Sequence, residues 1–318
     1  MQRRRFLAAA ALAAGAVSLP AGLRAAAAAA PARKFRIALT PGSIGVTAAS
    51  QRELNDLAHR HRFEAVEPRA EELAGLAPDA LSAVLADLKA KNLTWAAAGL
   101  SVDFRKDEAT LRTGLAALPR LAAGLQRAGA TRVGTWLMPS HAELTYRANF
   151  RQHAARLREI AAILKDHGLR LGLEYVGTHL LLVRSRYPFV HTLAETRELI
   201  AEIGTGNVGV VLDTWHWWQA GDTVADLRTL TNAEVVSVDL NDAPVGIPKE
   251  QQKDNARELP VATGVIDAAG FVGALAAFGY DGPVRPEPFN QALNALDNDP
   301  ACAAASAALH RAAALARG

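Results

Sequence analysis

Four acidic residues stand at or near the ends of short, mostly apolar runs in the second half of the sequence. The runs are Leu171–Glu174, Val210–Asp213, Val235–Asp239 and Val284–Glu287. Any one of these acids could cap a helix or join a surface ion pair, but four together would be costly to desolvate and would repel one another. A divalent cation removes both costs, and oxygen ligands favour Mg, Mn or Ca. The sequence therefore predicts a divalent metal site with four ligands: Glu174, Asp213, Asp239 and Glu287.

Short apolar runs alternate with longer amphipathic stretches from residue 35 onward. Eight runs have β-strand character: Phe35–Leu39, Phe63–Glu67, Thr94–Leu100, Arg132–Leu137, Leu171–Tyr175, Val208–Asp213, Val235–Leu240 and Pro283–Glu287. Alternation of strands and helices implies a parallel sheet, and eight such units imply a closed barrel. An open doubly wound sheet would favour a glycine-rich fingerprint after the first strand, which residues 41–45 do not supply. The predicted fold class is α/β, with a single (β/α)8 TIM barrel over residues 31–318.

A barrel also predicts where the polar residues meet, because the carboxyl ends of parallel strands all face one mouth. The four acids end strands five to eight and are expected to converge there. Glu67 ends the second strand and could reach the same cavity, although a helix start or an ion pair suits it equally well. Trp136, at the end of the fourth strand, is another candidate lining residue.

Several motifs in residues 171–290 resemble the xylose-isomerase-like sugar isomerase/epimerase superfamily. They are Leu-Glu-Tyr at 173–175, Val-Leu-Asp-Thr-Trp-His at 211–216, Val-Asp-Leu-Asn-Asp-Ala-Pro at 238–244, and Gly-Tyr-Asp-Gly-Pro at 279–283 leading to Glu-Pro at 287–288. The resemblance extends over most of the chain from about residue 35. It implies a metal-dependent enzyme that moves a proton on a carbohydrate through an enediolate.

The resemblance also implies roles for individual residues. Glu174 and Glu287 match the paired glutamates that serve as metal ligands and as the catalytic acid and base, and Asp213 matches the family's aspartate ligand. His216 and Arg257 match residues that contact substrate. The sequence departs from the family pattern at one ligand, because Asp239 stands where the family has a histidine. An aspartate is a hard ligand, which biases the expected metal towards Mn or Mg, or else weakens binding.

A Thr-Trp-His-Trp-Trp run surrounds His216. Aromatic faces pack against the C–H surfaces of sugars, and an indole N–H can bind a hydroxyl group. We assign one of these tryptophans, Trp215, to the substrate pocket and expect the other two to pack between the barrel and its helices.

The predicted chemistry is isomerisation or epimerisation of a non-phosphorylated sugar or sugar derivative. Removal of a proton next to a carbonyl requires stabilisation of the oxyanion, which a metal supplies, and a base and an acid, which two glutamates supply. The same enolate could expel a β-substituent, so a 3-keto-glycoside lyase is an alternative. A non-catalytic periplasmic sugar-binding protein is the alternative from another class.

The first 30 residues have the pattern of an export signal. Arg3-Arg4-Arg5-Phe6-Leu7 resembles a twin-arginine motif and precedes a weakly apolar, alanine-rich stretch. The stretch is too weakly apolar for a permanent membrane span. We therefore expect residues 1–30 to be a signal peptide, recognised by the twin-arginine export machinery, and the mature protein to be periplasmic.

The charge distribution excludes a nucleic-acid partner. The chain has a formal charge of +3, but residues 1–30 contain four arginines and no acid, so the remainder carries one net negative charge. Nucleic-acid binders need a basic footprint, which also argues against an abasic-site endonuclease, a nuclease class that shares the barrel. The one cysteine, Cys302, rules out an intramolecular disulfide. A homo-oligomer is left open.

Overall fold

The computed structural model describes residues 33–317. The predicted signal peptide lies outside these residues. No helix in the described part is long and apolar enough to cross a membrane.

Eleven strands form one large parallel sheet and one small antiparallel pair within residues 33–317. They are β1 (Arg36–Leu39), β2 (Ala65–Val66), β3 (Thr94–Trp95), β4 (Ala98–Gly99), β5 (Arg132–Trp136), β6 (Ser140–His141), β7 (Arg170–Glu174), β8 (Tyr187–Pro188), β9 (Val208–Asp213), β10 (Val235–Leu240) and β11 (Pro283–Pro286). The large sheet has the order β3-β2-β1-β11-β10-β9-β7-β5-β4. Its two end segments, β3 and β4, are separated by only two residues, so one stretch of chain pairs with β2 and then with β5. The sheet therefore closes on itself as a single α/β TIM barrel, as the sequence predicts.

Twelve α-helices accompany the strands in the described part of the chain. They are α1 (Gln51–Arg60), α2 (Ala70–Gly75), α3 (Pro78–Ala90), α4 (Glu108–Ala128), α5 (Tyr146–Asp166), α6 (His179–Leu182), α7 (Leu193–Ile203), α8 (Thr214–Ala220), α9 (Val224–Leu227), α10 (Ala268–Ala277), α11 (Gln291–Asn294) and α12 (Asn298–Ala314). The bounds follow local capping chemistry. Asp107 accepts a hydrogen bond from the Thr110 N–H to begin α4, and Gly129 ends it in the left-handed region at φ 76°.

The barrel wall is apolar and tightly packed. All six residues of β10 are buried, as are the last four of β7 and the last five of β9. Gly172 leaves room for a neighbouring strand, because a Cβ there would lie 2.7 Å from Val211 Cγ2. This packing makes the strand ends rigid supports for the side chains they present.

Two loops shape the mouth of the barrel. Residues 241–267, between β10 and α10, are tied down by the Asp242 carboxylate, which accepts hydrogen bonds from the backbone N–H groups of Thr263, Gly264 and Ile266. The second loop follows β7 and contains α6. Together they bring apolar and charged side chains over the strand ends.

Candidate active site

The strand register brings the predicted ligands together. Asp213, the last residue of β9, pairs in register with Asp239 of β10, and Asp239 pairs with Arg285 of β11. Glu174 ends β7, and Glu287 follows β11 directly. Each of the four acids offers a carboxylate oxygen within 4.8 Å of the others, and all four are buried. The structure therefore brings the predicted quartet into one cluster.

Arg285 is part of this cluster, although the sequence analysis did not identify it. Its Nε and Nη2 donate to the two Asp239 carboxylate oxygens, the second at 2.7 Å, and Nη2 also donates to Glu287 Oε1 at 2.9 Å. Asp239 is 0% exposed, so the guanidinium supplies the charge that this buried carboxylate needs. The sequence contains a pattern that could have identified Arg285. Residues i and i+2 of a strand face the same side, and Arg285 is two residues before Glu287.

Arg257 is the second cation in the cluster and is 1% exposed. It donates through Nη1 to Asp213 at 2.9 Å and to Glu287 at 3.3 Å, and through Nη2 to Asp254 at 2.9 Å. Its Nε donates to the backbone carbonyl of Asp254 at 2.7 Å. The side chain predicted to bind substrate is thus held by protein partners at all three nitrogens, and it fixes the carboxylates in place.

His216 lies against the same guanidinium. Its Nε2 is 3.1 Å from Arg257 Nη2 and 3.8 Å from Glu174 Oε1. A guanidinium can only donate, so Nε2 is the acceptor and the imidazole is neutral. Burial lowers the pKa of His216 to about 4, and Arg257 adds to this effect.

The two glutamates differ in their surroundings. Burial raises the pKa of Glu174 well above its usual range, and repulsion from Glu287 raises it further. Glu174 Oε1 is buried and has no hydrogen-bond partner among the described residues. Burial also raises the pKa of Glu287, to about 8, but Arg285 and Arg257 oppose that rise. Glu287 is therefore the better-stabilised carboxylate, and Glu174 is the one without a cationic partner.

The donor set fits a divalent cation. Four carboxylates and two arginines leave two net negative charges when all are ionised, which one divalent ion would balance. Glu174 Oε1 has no hydrogen-bond partner within residues 33–317, so it can coordinate the ion without breaking a hydrogen bond. Asp213 is the most restricted of the four, because its two oxygens accept hydrogen bonds from the backbone N–H groups of Trp215 and His216, from the Asn241 amide and from Arg257. Asp239 accepts one hydrogen bond from Arg285 at each oxygen, which leaves a lone pair on each.

Two cavities adjoin the glutamate pair and share three lining residues: Trp136, Glu174 and Glu287. The first, here called the polar cavity, has a volume of about 270 Å³ and is also lined by Glu67, Arg105 and Arg285. The second, here called the apolar cavity, has a volume of about 290 Å³. Glu67 and Trp136 thus lie where the sequence analysis expected them, and burial raises the pKa of Glu67.

Trp215 lies behind the site. Its side chain is fully buried, its Nε1 donates to Thr178 Oγ1 at 3.0 Å, and the Arg257 guanidinium lies 5.4 Å from its ring centre. It lines neither cavity, so it supports Arg257 and does not touch a ligand in either of them. Trp136 is the exposed aromatic wall instead, at 40% exposure, with the Arg105 guanidinium 4.2 Å from its ring centre.

The sequence model of the xylose isomerase-like TIM barrel family matches residues 56–313. The chain belongs to this family. Among curated relatives, an inosose isomerase of Halalkalibacterium halodurans is 28% identical over 138 residues, which cover 42% of this chain and 44% of the relative. A 3-dehydroshikimate dehydratase of Pseudomonas aeruginosa is 28% identical over 140 residues, covering 44% of this chain and 21% of the relative. The chain therefore matches less than half the length of these curated relatives.

Solved structures match over nearly the whole barrel. A xylose isomerase domain protein from Alicyclobacillus acidocaldarius is 32% identical with a TM-score of 0.77, covering 89% of this chain and 100% of that one. A protein crystallised with a bound zinc atom is 17% identical with a TM-score of 0.72, covering 88% of this chain and 98% of that one. The second likeness shows the fold alone.

Proposed function

We propose that the protein is a metal-dependent isomerase or epimerase that acts on a non-phosphorylated sugar or sugar derivative by glutamate-mediated proton transfer through an enediolate. One observation carries the proposal: two buried glutamates with different surroundings lie within 4.8 Å of each other in a carboxylate cluster at the mouth of the barrel. The isomerases among the family's relatives support the same reaction class.

Glu174, Asp213, Asp239 and Glu287 would hold a divalent ion, which would supply Lewis-acid stabilisation to the substrate oxyanion. The all-oxygen donor set favours Mn or Mg. His216 is neutral, and its Nε2 accepts a hydrogen bond from Arg257, so it adds no charge to the site.

The protein groups divide the proton transfer between them. Arg285 and Arg257 stabilise Glu287 as a carboxylate, which suits it to remove the proton. Glu174 has no cationic partner and holds a proton more readily, which suits it to deliver one on the adjacent carbon or the opposite face. Pairs of carboxyl groups whose surroundings separate their pKa values have this division of roles.

The charge of the site disfavours sugar phosphates. Arg257 and Arg285 are paired with carboxylates inside the cluster, and Arg105 is paired with Asp103. A phosphate would meet a site whose cations are already neutralised, and without a bound cation the cluster is net negative. A free sugar, a cyclitol or a glycoside suits it better.

Solvent deuterium exchange tests the proposal. The protein is incubated in D2O with Mn²⁺ or Mg²⁺ and a panel of free sugars, 3-keto sugars and inososes, and exchange at carbon next to the carbonyl is followed by NMR. We expect exchange with at least one compound, reduced roughly 10²- to 10⁴-fold in Glu287→Gln. Binding without exchange of any compound would favour a sugar-binding protein instead.

A second candidate function is a lyase that uses the same proton removal to expel a β-substituent. The dehydratase among the relatives favours it, because that enzyme's name denotes loss of water. An enone product, detected by its ultraviolet absorbance, would identify the lyase. Exchange or epimerisation without loss of a group would identify the isomerase.

We also propose that the chain is exported to the periplasm by the twin-arginine route, as the pattern Arg3-Arg4-Arg5-Phe6-Leu7 indicates. Replacing Arg3 and Arg4 together by lysine should move the protein from the periplasmic to the cytoplasmic fraction. An unchanged distribution would count against this route.

A further inference from the structure

The glutamate pair is the meeting point of two cavities with different chemistry. The polar cavity and the apolar cavity share only Trp136, Glu174 and Glu287. A monosaccharide carries hydroxyl groups around the edge of its ring, so a site for a monosaccharide alone is expected to offer hydrogen-bonding partners around most of that edge. The contrast between the two cavities therefore bears on the class of substrate.

The polar cavity offers hydrogen-bonding groups that the protein leaves open. The Arg285 Nη1 group makes no hydrogen bond within residues 33–317, whereas its other nitrogens hold Asp239 and Glu287. Glu67 lines the same space without a hydrogen bond from another side chain of the described residues. Small residues such as Gly99 and Gly134 complete the wall and leave room for a ring with hydroxyl groups.

The apolar cavity is lined by Met138, Val176, Leu181 and Phe289 together with the Trp136 ring. Apart from Glu174, which both cavities share, its polar lining residues are already paired with protein groups. Arg257 donates to Asp254 and to His216 Nε2, and Asp254 also accepts from Thr178 Oγ1 at 2.9 Å. An occupant would gain few hydrogen bonds there and would bury apolar surface instead.

Phe289, which lines the apolar cavity, has a strained backbone conformation. Its φ is 42°, in the left-handed region that bulky residues rarely adopt. Its ring lies 5.2 Å from the Arg257 guanidinium and faces the cavity. Strain of this kind persists where the surroundings enforce it, and it is concentrated at ligand sites.

The space is sufficient for an aromatic ring. An apolar cavity of roughly 150 Å³ lined by Leu, Ile and Phe accommodates benzene, and the apolar cavity measures about 290 Å³. Leu180 and Val183, in the loop that carries Leu181, are 40% and 58% exposed. The apolar character therefore extends beyond the cavity along the loop that carries α6.

We propose that the substrate is a keto-sugar derivative with an apolar substituent, such as an aryl or alkyl 3-keto-glycoside, whose sugar ring occupies the polar cavity and whose substituent occupies the apolar cavity. This inference rests on the proposed function, since it places the reacting carbon at the glutamates that both cavities share. It assigns Leu181, Met138 and Phe289 to recognition of the substituent.

Matched glycosides test the proposal by binding alone. The affinities of methyl and phenyl glycosides of glucose, galactose and xylose are measured by titration calorimetry with the Mn²⁺-loaded protein. We expect the phenyl glycoside of at least one sugar to bind roughly tenfold or more tightly than its methyl partner, as for added apolar groups in a hydrophobic pocket.

Two neighbouring leucines provide a matched pair of variants. In Leu181→Asp the preference for the phenyl glycoside should fall to about one, and in the milder Leu181→Ala it should fall partway. Leu180→Asp, the same change on the exposed neighbour in α6, should retain the wild-type preference.

Equal affinities for the two glycosides, no binding of either, or an equal loss in Leu181→Asp and Leu180→Asp would overturn the inference. Failure of the deuterium exchange would overturn the proposed reaction and leave this binding comparison intact. The two failures are thus distinguishable.

Discussion

The Asp239–Arg285 pair is the feature in which the site differs most from the family pattern. The aspartate stands where the resemblance implies a histidine, and the guanidinium from the next strand holds both of its oxygens. A buried carboxylate with a bidentate arginine is neutralised without a metal. Arg285 therefore reduces the negative charge of the four carboxylates from four to three, and Arg257 reduces it to two.

Replacing Arg285 by leucine should leave Asp239 buried and unpaired. We expect the free energy of unfolding to fall by about 3 kcal/mol or more in the presence of a chelator, as for other broken buried pairs. Added Mn²⁺ should restore part of the lost thermal stability, because the freed carboxylate becomes a ligand. Thermal unfolding with and without Mn²⁺ measures both effects.

Arg112→Leu is the control for this change, because Arg112 pairs with Glu108 and Glu159 on the surface. Exposed pairs contribute about 1 kcal/mol or less, and Mn²⁺ should have no differential effect. Equal destabilisation of the two variants would refute the role given to Arg285.

The residue types of the site were largely predictable, but their partnerships were not. Apolar runs that end in acids marked Glu174, Asp213 and Glu287, because strand ends converge at a barrel mouth. Contacts between distant segments are not encoded locally, so no pattern around Arg257 indicated that its nitrogens would bind protein groups. Trp215 was misjudged as pocket-lining for the same reason: an aromatic residue beside a candidate histidine can face either the cavity or the helix layer.

At the scale of elements, α8 is the helix most closely tied to the site. Asp213 caps its N-terminus, and His216 lies in its first turn. The helix packs against the segment after β7 at Gly177, where a Cβ would lie 2.4 Å from the His216 carbonyl oxygen and 2.7 Å from the Ala220 nitrogen. Only glycine permits this approach.

Gly177→Ala should push α8 away from β7. We expect a loss of about 1–3 kcal/mol in unfolding free energy, typical of overpacking, together with a several-fold weaker affinity for Mn²⁺ as Asp213 and His216 move. Chemical denaturation and calorimetric titration measure the two effects.

Gly273→Ala is the matched control, since nothing lies within 4 Å of the added Cβ in α10. It should stabilise the protein by up to about 1 kcal/mol through helix propensity and leave Mn²⁺ affinity unchanged. A Gly177→Ala variant with no loss of unfolding free energy and unchanged Mn²⁺ affinity would show that the close approach of α8 does not position the site.

The bounds of some strands were predicted correctly from the sequence, and those of others were not. The predicted strands Val208–Asp213 and Val235–Leu240 coincide with β9 and β10. The third predicted strand, Thr94–Leu100, is divided into β3 and β4, because its two halves pair with different neighbours. An apolar pattern shows that a segment is buried, but it does not show where pairing switches from one strand to the next.

At the scale of the whole molecule, the barrel buries a histidine far from the carboxylate cluster. His153 lies between Phe104 and Phe189, and its Nδ1 is 3.0 Å from the Asn149 carbonyl oxygen. Burial lowers its pKa to about 4, against about 6.5 in an unfolded chain. Between these values the unfolded chain binds a proton that the folded chain does not, so this group removes stability as the pH falls from about 6.5 to about 4.

Replacing His153 by leucine should make stability less sensitive to acid in that window. We expect the slope of unfolding free energy against pH to be shallower than in the wild type by up to about 1.4 kcal/mol per pH unit. Denaturation at several values between pH 7 and pH 4 gives the slope. His59→Leu, at an exposed position on α1, should keep the wild-type slope, and an unaltered slope in His153→Leu would exclude burial of the neutral form.

The carboxylate cluster at the barrel mouth is proposed to hold one divalent cation, and titration of chelator-stripped protein with Mn²⁺ measures this binding. Titration of wild type, Glu174→Gln and the exposed control Glu250→Gln should show about one site per chain in the wild type and the control. Glu174→Gln should bind much more weakly, because it loses the negative charge of the carboxylate whose Oε1 has no hydrogen-bond partner within residues 33–317. A wild-type protein that binds no Mn²⁺, or a Glu174→Gln variant that binds it as well as the wild type, would show that the cluster is not a metal site of this kind.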